Sequence, residues 1–390
     1  MISDTIYEHL KDIYNKKINS LIEPVTTIEP TLSVSKVINK LSKNDSYDAF
    51  YHDGKSVLTI NVRSLLAGKD IADMKVHPFL ETIPALTPTD NIQKAANIMS
   101  HYRIRTVPVV DKKKIIGGVS AKRILKLLST KDNKWIKANL IFTQKPITVS
   151  YNDSLSTARK IMISKRIDHL PVEKKGSINQ VLTSYHLLHA INPHEGIGRR
   201  SKGMDKVRHL ESKIGNIGST RIPQCTVDDD LNTILNAMLK TNTTCCLVNL
   251  WKNLQGIITY RDILSLLAVR MESEIPLYII GIPEDQKNVN LITSKFVNTL
   301  KRIQKVYSEI QEARVSIKQR RSGRKKEGKY EVSIMITTPH HSPHIYKEVG
   351  FDLSNVIESL SQKLLRNLSR RSKRRSKTSI RKINLPITSL

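Results

Sequence analysis

Four amphipathic stripes recur along the first 270 residues. Val34, Val37, Ile38 and Leu41 stand at i, i+3, i+4 and i+7; Ile92, Ala95, Ala96 and Met99 repeat that spacing, as do Leu231, Ile234, Leu235 and Met238. Leu155, Ala158 and Met162 follow it too, with Arg159 as a polar exception inside the stripe. Each pattern predicts a helix with one buried face. Each follows a polar turn rich in helix-starting residues, such as Asn152-Asp153-Ser154 and Asp228-Asp229-Asp230. Fifteen residues after each stripe begins, a short apolar strand is expected, marked by Ala49, Val107, Leu170 and Cys246. A turn and a second strand follow, ending in Thr59, Ser120, Thr183 or Thr259. That hydroxyl lies 28 residues after the stripe begins in the last three repeats and 25 in the first, which reads as a three-residue deletion in the turn. A further helix then starts at Leu65-Leu66, Ile124-Leu125, Leu187-Leu188 and Ile263-Leu264. A strand–helix–strand–strand–helix repeat of this size cannot bury its own apolar face, so the repeats should pack in pairs, sheet against sheet. Ahead of them, Ile6, Leu10, Ile13 and Tyr14 predict a short amphipathic helix.

After residue 274 the pattern changes. Leu277-Tyr278-Ile279-Ile280 predicts a strand; Ile292, Phe296, Leu300, Ile303 and Tyr307 have helical spacing. Ala313, Val315 and Ile317 alternate with Arg314, Ser316 and Lys318, and Val332, Ile334 and Ile336 alternate again, as half-buried strands do. Ile345-Tyr346 begins a fourth strand. A last helix is expected from Asp352 to about Lys377, with Leu353, Val356, Ile357, Leu360, Leu364 and Leu368 on one stripe.

The chain has 390 residues, long enough for several domains. Apolar and charged fractions of 39% and 25% are those of a folded protein. The net charge is not ordinary: 64 Lys and Arg against 35 Asp and Glu give +29. Such an excess points to a polyanion, and nucleic acid fits it better than an anionic membrane. Cys225, Cys245 and Cys246 have neither metal-ligand nor disulfide-framework spacing. His340, His341 and His344 surround Pro339 and Pro343 without an acidic or Cys partner, so they are read as a loop rather than a metal site. Met1-Ile2-Ser3-Asp4 offers no basic n-region, and no apolar run reaches the ~20 residues of a membrane span. The cytoplasm is therefore the expected compartment. With no nucleophile elbow, P-loop or paired-carboxylate pattern, a non-enzymatic binding protein is expected.

The clearest repeat, Gly256-Ile257-Ile258-Thr259-Tyr260-Arg261-Asp262, resembles the CBS domain. The resemblance covers residues 18–70, 78–130, 140–192 and 216–270. It implies two tandem pairs, or Bateman modules, over 18–130 and 140–270, with residues 1–17 as an N-terminal helix and 193–215 as a basic loop. Such pairs often hold adenine nucleotides in clefts between their sheets. In those members the second strand ends in Ser or Thr beside the phosphates, and an Asp three residues later holds the ribose hydroxyls. A carboxylate can accept from both hydroxyls, and the start of a helix offers free N–H groups to phosphate. The fourth repeat has the full set in Thr259 and Asp262, with Arg261 as a charge partner. Ser120 and Thr183 are weaker candidates, because Arg123 and His186 replace the Asp; the first repeat has Val62 there. No cofactor is required; AMP, ADP or ATP is the regulatory ligand that the resemblance implies.

Residues 276–376, ordered strand–helix–strand–strand–strand–helix, resemble the ribosome hibernation promoting factor family, with residues 377–390 as a basic tail. The resemblance is carried by the alternating Ala313-to-Lys318 strand, the strand His344-Ile345-Tyr346, and Asp352-Leu353-Ser354-Asn355-Val356-Ile357 opening a helix that ends in Lys and Arg; Ser354 stands where the family has an aromatic. The double-stranded RNA-binding fold has a related order. The full expectation is thus an α/β and α+β multidomain chain: two CBS pairs, a βαβββα hibernation-factor-like domain and a basic helical tail. It implies a ribosome dormancy factor of archaeal type that docks on ribosomal RNA of an idle subunit, the small one first and the large one as the other choice, under control of nucleotide sensing in the array. Its RNA contacts are expected at Lys301, Arg302, Lys305, Arg320, Arg321, Arg324, Lys325, Lys326, Lys329, Arg366, Arg370, Arg371, Lys373, Arg374, Arg375 and Lys377, with Arg199 and Arg200 from the basic loop. With only 5% aromatics, shape and phosphate recognition of folded RNA is expected rather than base stacking. The alternatives are a nucleotide-responsive CBS regulator of DNA or transcription, or of a partner enzyme.

Overall fold

The computed structural model describes residues 2–68, 73–191, 209–250, 253–268, 277–281, 286–306, 310, 312–320, 329–337 and 344–367. The chain divides into two bodies, Met1–Val269 and Arg270–Leu390.

The N-terminal body opens with α1 (Ile2–His9) and α2 (Lys11–Tyr14), which bury Ile6, Leu10, Ile13 and Tyr14. The first repeat follows as α3 (Val34–Lys43), β1 (Asp48–His52), β2 (Val57–Asn61) and α4 (Val62–Leu65). The second begins with β3 (Glu81–Ile83) and continues as α5 (Ile92–Tyr102), β4 (Thr106–Asp111), β5 (Lys114–Ser120) and α6 (Ala121–Leu128). The third comprises β6 (Thr143–Gln144), β7 (Val149–Ser150), α7 (Leu155–Lys165), β8 (His169–Lys174), β9 (Ser177–Thr183) and α8 (Ser184–Ile191). The fourth comprises β10 (Gln224–Cys225), α9 (Leu231–Lys240), β11 (Cys245–Leu250), β12 (Asn253–Thr259) and α10 (Tyr260–Ser265). Each stripe helix is followed within two residues by a non-glycine residue in the left-handed region: Asp45, Arg103, Arg166 and Asn242, with φ of 48°, 54°, 54° and 50°. That conformation stops each helix and turns the chain toward its hairpin.

Reciprocal strand exchange builds the pairs. Glu23, ahead of the first repeat's helix, bridges to Gly118 of the second, and β3, ahead of the second repeat's helix, pairs with β2 of the first. The later repeats do the same: β6 joins β12, and Ser219 bridges to Val181 of β9. Glycine permits these crossings. A Cβ on Gly256 would fall on the Phe142 ring and 2.8 Å from the Thr143 carbonyl oxygen; one on Gly118 would lie 2.5 Å from Val25.

The pairs then meet each other. The first and third repeats share one apolar cluster, including Val37, Ile38, Leu41, Leu155, Met162 and Leu187. Arg159, the polar exception in its stripe, lies on this seam: its Nε donates to the Leu66 carbonyl at 2.7 Å and its Nη2 to those of Ala67 and Gly68. It caps the end of the first repeat's last helix. The second repeat meets the fourth through α6 and α9, where Asn232 donates to Ser129 and accepts from the Asn133 backbone.

The first repeat corrects one expectation. Its deletion is one residue, not three, and the position that matches Ser120, Thr183 and Thr259 is Asn61, not Thr59. Asn61 lies opposite Asp48, as Ser120 lies opposite Thr106. The other three hairpins each carry a β-bulge, at Val109/Val110, Val172/Glu173 and Val248/Asn249; the first runs in straight register. Losing one residue removes the bulge and leaves both ends aligned. Thr59 turns inward and donates to the Ala49 carbonyl, while Asn61 caps α4 in a reciprocal box with Ser64.

The C-terminal body runs β13 (Leu277–Ile280), α11 (Gln286–Val306), β14 (Glu312–Arg320), β15 (Lys329–Thr337), β16 (His344–Gly350) and α12, over 353–367. The sheet order is β13-β14-β15-β16, with β13 parallel to β14 and the other pairs antiparallel. Val315, Ile317, Val332, Ile334 and Ile336 bury one sheet face against Phe296, Leu300 and Ile303 of α11 and Ile357, Leu360 and Leu364 of α12. Asp352 caps α12, accepting from the Asn355 N–H at 2.7 Å. Ser354 accepts from Lys295 of α11 at 2.7 Å.

Candidate ligand-binding clefts

Where the four repeats converge, each presents the two residues that enter its hairpin: Tyr47-Asp48, Arg105-Thr106, Asp168-His169 and Thr244-Cys245. Asp168 binds the Tyr47 hydroxyl (2.5 Å) and the Arg63 guanidinium (2.6 Å). Burial alone would push its carboxyl up, but the charges of Arg63 and Arg105 and the Tyr47 hydroxyl outweigh that and hold it at about 2. Asp48 has no such cation in contact. Its Oδ2 accepts from the backbone N–H groups of Arg105 (2.8 Å) and Thr106 (2.9 Å), and its Oδ1 is buried without a partner. Burial prevails there and raises the carboxyl to about 7. His169 bonds the Thr244 hydroxyl at 2.5 Å; burial, then the charge of Arg105, lowers it to about 3, so it is neutral.

A cleft of about 390 Å³ opens beside this junction, between the first and second repeats. Its size lies in the range of small-molecule sites. Thr26, Tyr47 and Asp48 line it from the first repeat, Arg105, Thr106, Ser120 and Lys122 from the second, and Tyr185, Asn242, Thr244 and Tyr260 from the other pair. The Arg105 guanidinium stacks on the Tyr47 ring, 3.9 Å from its centroid.

The sequence-based candidates sit around helix starts. Ser120 accepts from the Arg123 N–H (3.2 Å), and Arg123 pairs with Glu23 of the crossing segment (2.7 Å). Thr183 bonds His186, whose ring stands where the fourth repeat has Asp262. Thr259 donates through both its N–H (2.7 Å) and its hydroxyl (2.6 Å) to Asp262 Oδ2, and Thr143 donates to Oδ1 (2.9 Å). Both oxygens of that carboxylate thus accept hydrogen bonds within the protein, and Oδ1 has one acceptor site beyond its bond from Thr143. Arg261 follows on α10 and is partly buried. Periodicity could not reveal the Arg105–Asp48 cleft, because its lining comes from all four repeats; the Arg-Thr-Val-Pro strand entry was the available signal.

Of the candidate RNA-binding residues, Lys301 and Arg302 are exposed on α11, Lys329 at the start of β15 and Arg366 near the end of α12. Lys305 lies on α11 and Arg320 ends β14. Arg199, Arg200, Arg321, Arg324, Lys325, Lys326, Arg370, Arg371, Lys373, Arg374, Arg375 and Lys377 lie outside the described residues, as do His340 and His341. Among the described residues, no helix is long and apolar enough to cross a membrane, and the three cysteines are free and buried.

The CBS domain family model matches residues 72–130, 138–193 and 214–269. Those three stretches are CBS domains. They are the second, third and fourth repeats; the first has the same helix–hairpin–helix order with its hairpin one residue shorter. Inosine-5'-monophosphate dehydrogenase of Staphylococcus aureus is 33% identical over 101 residues, 25% of this chain. The chain spans only 20% of the length of that dehydrogenase. Among solved structures, a Methanocaldococcus jannaschii protein proposed as an archaeal homologue of g-AMPK aligns over 64% of this chain and 99% of its own, at 16% identity and a TM-score of 0.56. An uncharacterised protein of Pyrococcus horikoshii aligns over 65% of this chain and 100% of its own, at 20% identity and a TM-score of 0.44. The first structure supports the arrangement of CBS pairs as a fold.

Proposed function

We propose that this chain is a non-catalytic regulator that binds an adenine nucleotide in its CBS array and RNA through its C-terminal body, acting as a ribosome dormancy factor. The observation that carries the nucleotide reading is the cleft at Arg105. A guanidinium stacked on Tyr47 stands beside Ser120, Lys122 and the start of α6, which is an arrangement suited to a phosphate group. The opposite pair contributes Asn242, Thr244 and Tyr260 to the same cleft. A ligand there touches both CBS pairs and biases their docking, which a sensor requires. The ribosomal part rests on the resemblance of residues 276–376 to hibernation factors and on the +29 charge, with the small subunit as the first target.

Isothermal titration of the full chain with AMP, ADP and ATP tests the nucleotide site. Arg105→Ala should weaken binding about tenfold, equivalent to about 1.4 kcal/mol, while Asp262→Ala leaves that site's affinity unchanged. The reverse pattern would move the nucleotide to the fourth repeat, and heat-free titrations with all three would end the sensing reading.

A further inference from the structure

The sheet of the C-terminal body has a second face, opposite the two helices. In β14, β15 and β16 the residues between the core positions whose side chains are described point there. The backbone register aligns Lys318 with Glu331 and Val349, Ser316 with Ser333 and Lys347, and Arg314, which is buried, with Met335 and Ile345. Phe351 follows β16, and the Lys329 ammonium lies 5.0 Å from its ring centroid. Ile345, Val349 and Phe351 are 61%, 55% and 59% exposed, and Lys318, Lys329 and Lys347 are exposed among them. β16 is also the last strand of its sheet. Exposed apolar side chains on an edge strand are a liability that proteins usually blunt, so Ile345 and Val349, set on either side of Lys347, with Phe351 just past the strand end, call for an occupant.

We propose that this face, along β16, is a platform for single-stranded RNA: bases lie on Phe351, Val349 and Ile345, and phosphates pair with Lys318, Lys329 and Lys347. The proposal rests on the RNA-binding reading above and names the surface that performs it. Charge selects the occupant. Among the described side chains of this face, three exposed lysines and the buried Arg314 stand against one carboxylate, Glu331, which suits a polyanion. A second copy of the chain would bring the same lysines against them; two β16 strands paired about their middle would set Lys347 against Lys347. An aromatic ring flanked by aliphatics and cations is what stacking on unpaired bases needs, because every base has a π-face. Base stacking thus enters locally, in a chain whose overall aromatic content argued against it.

The test is fluorescence anisotropy of the full chain with a labelled single-stranded RNA 12-mer and the corresponding duplex, at about 150 mM salt. Wild type should prefer the single strand. The triple variant Ile345→Ser, Val349→Ser, Phe351→Ala should lose at least tenfold in single-strand affinity, with its sedimentation coefficient unchanged. Lys347→Gln, which leaves the apolar strip intact, should lower the slope of log affinity against log salt by about one. Photocrosslinking to 4-thiouridine RNA should label residues 345–351. If wild type binds RNA and the triple variant binds it equally well, the platform is refuted while the RNA reading stands. If wild type binds no RNA at this salt, both fall. If wild type is a dimer that the triple variant splits, the face is a self-contact and the platform is refuted.

Discussion

Asp48 and Asp168 occupy adjacent positions of the repeat and carry opposite shifts. Asp168 has Arg63 in contact; Asp48 has only two backbone donors and one buried, unpartnered oxygen. The charged groups that act on Asp48 are Arg105, Asp168 and, from α4, Arg63. Its carboxyl titrates at about 7 in the folded protein, against about 4 in the unfolded chain. Between those values the folded state holds the extra proton, so stability falls as pH rises from about 4 to 7. Asp168, held at about 2, acts in the opposite direction and only below about 4. Asp48→Asn removes the first effect. Thermal unfolding from pH 4.5 to 7.5 should show wild type losing stability relative to the variant as pH rises, and parallel curves would contradict the assignment. Nothing in the sequence pattern singled out either carboxylate. Their environments depend on which repeats meet, and no spacing along the chain encodes that. Arg159 shows the same limit: its place as a misfit in an apolar stripe was legible, but its partners, the carbonyls of Leu66, Ala67 and Gly68, belong to another repeat.

At the scale of the element, local rules carried far. The helical stripes located α3, α5, α7 and α9, and the alternation of Ala313, Val315 and Ile317 located β14, because burial on one face imposes a period on the sequence. The offset in the first repeat was misread at Thr59. Thr ends the second strand in two other repeats, and a hydroxyl at the right distance looked like the same position. The β-bulge that sets the count leaves no residue signature. Strand exchange was also hidden, since the crossing segments are two or three residues long. Its imprint is glycine: Gly256 lies under Phe142 and Thr143, where no side chain fits. Gly256→Ala should therefore lower stability by about 1–3 kcal/mol, read as a drop in the unfolding temperature of the N-terminal body. An unchanged transition would mean that β6 is not seated on β12 as described.

For the whole molecule, the link from array to function is the convergence of four repeats on one cleft. Pairing within modules followed from the repeat itself. Docking of the first repeat on the third, and of the second on the fourth, required the tertiary structure: the first seam is an apolar cluster whose faces look like the others in sequence, and the second joins Asn232 to Ser129 and Asn133, far apart in the chain. The result is a cleft whose lining crosses from one pair to the other, so a ligand held there would be tied to the arrangement of the array. The measurement that tests the account most directly is sucrose-gradient sedimentation of the full chain with separated ribosomal subunits at physiological salt, with and without AMP. The account predicts co-migration with the small subunit and a bound fraction that AMP changes in wild type but not in Arg105→Ala. Protein that stays at the top of the gradient, or binds identically with and without AMP, would contradict it.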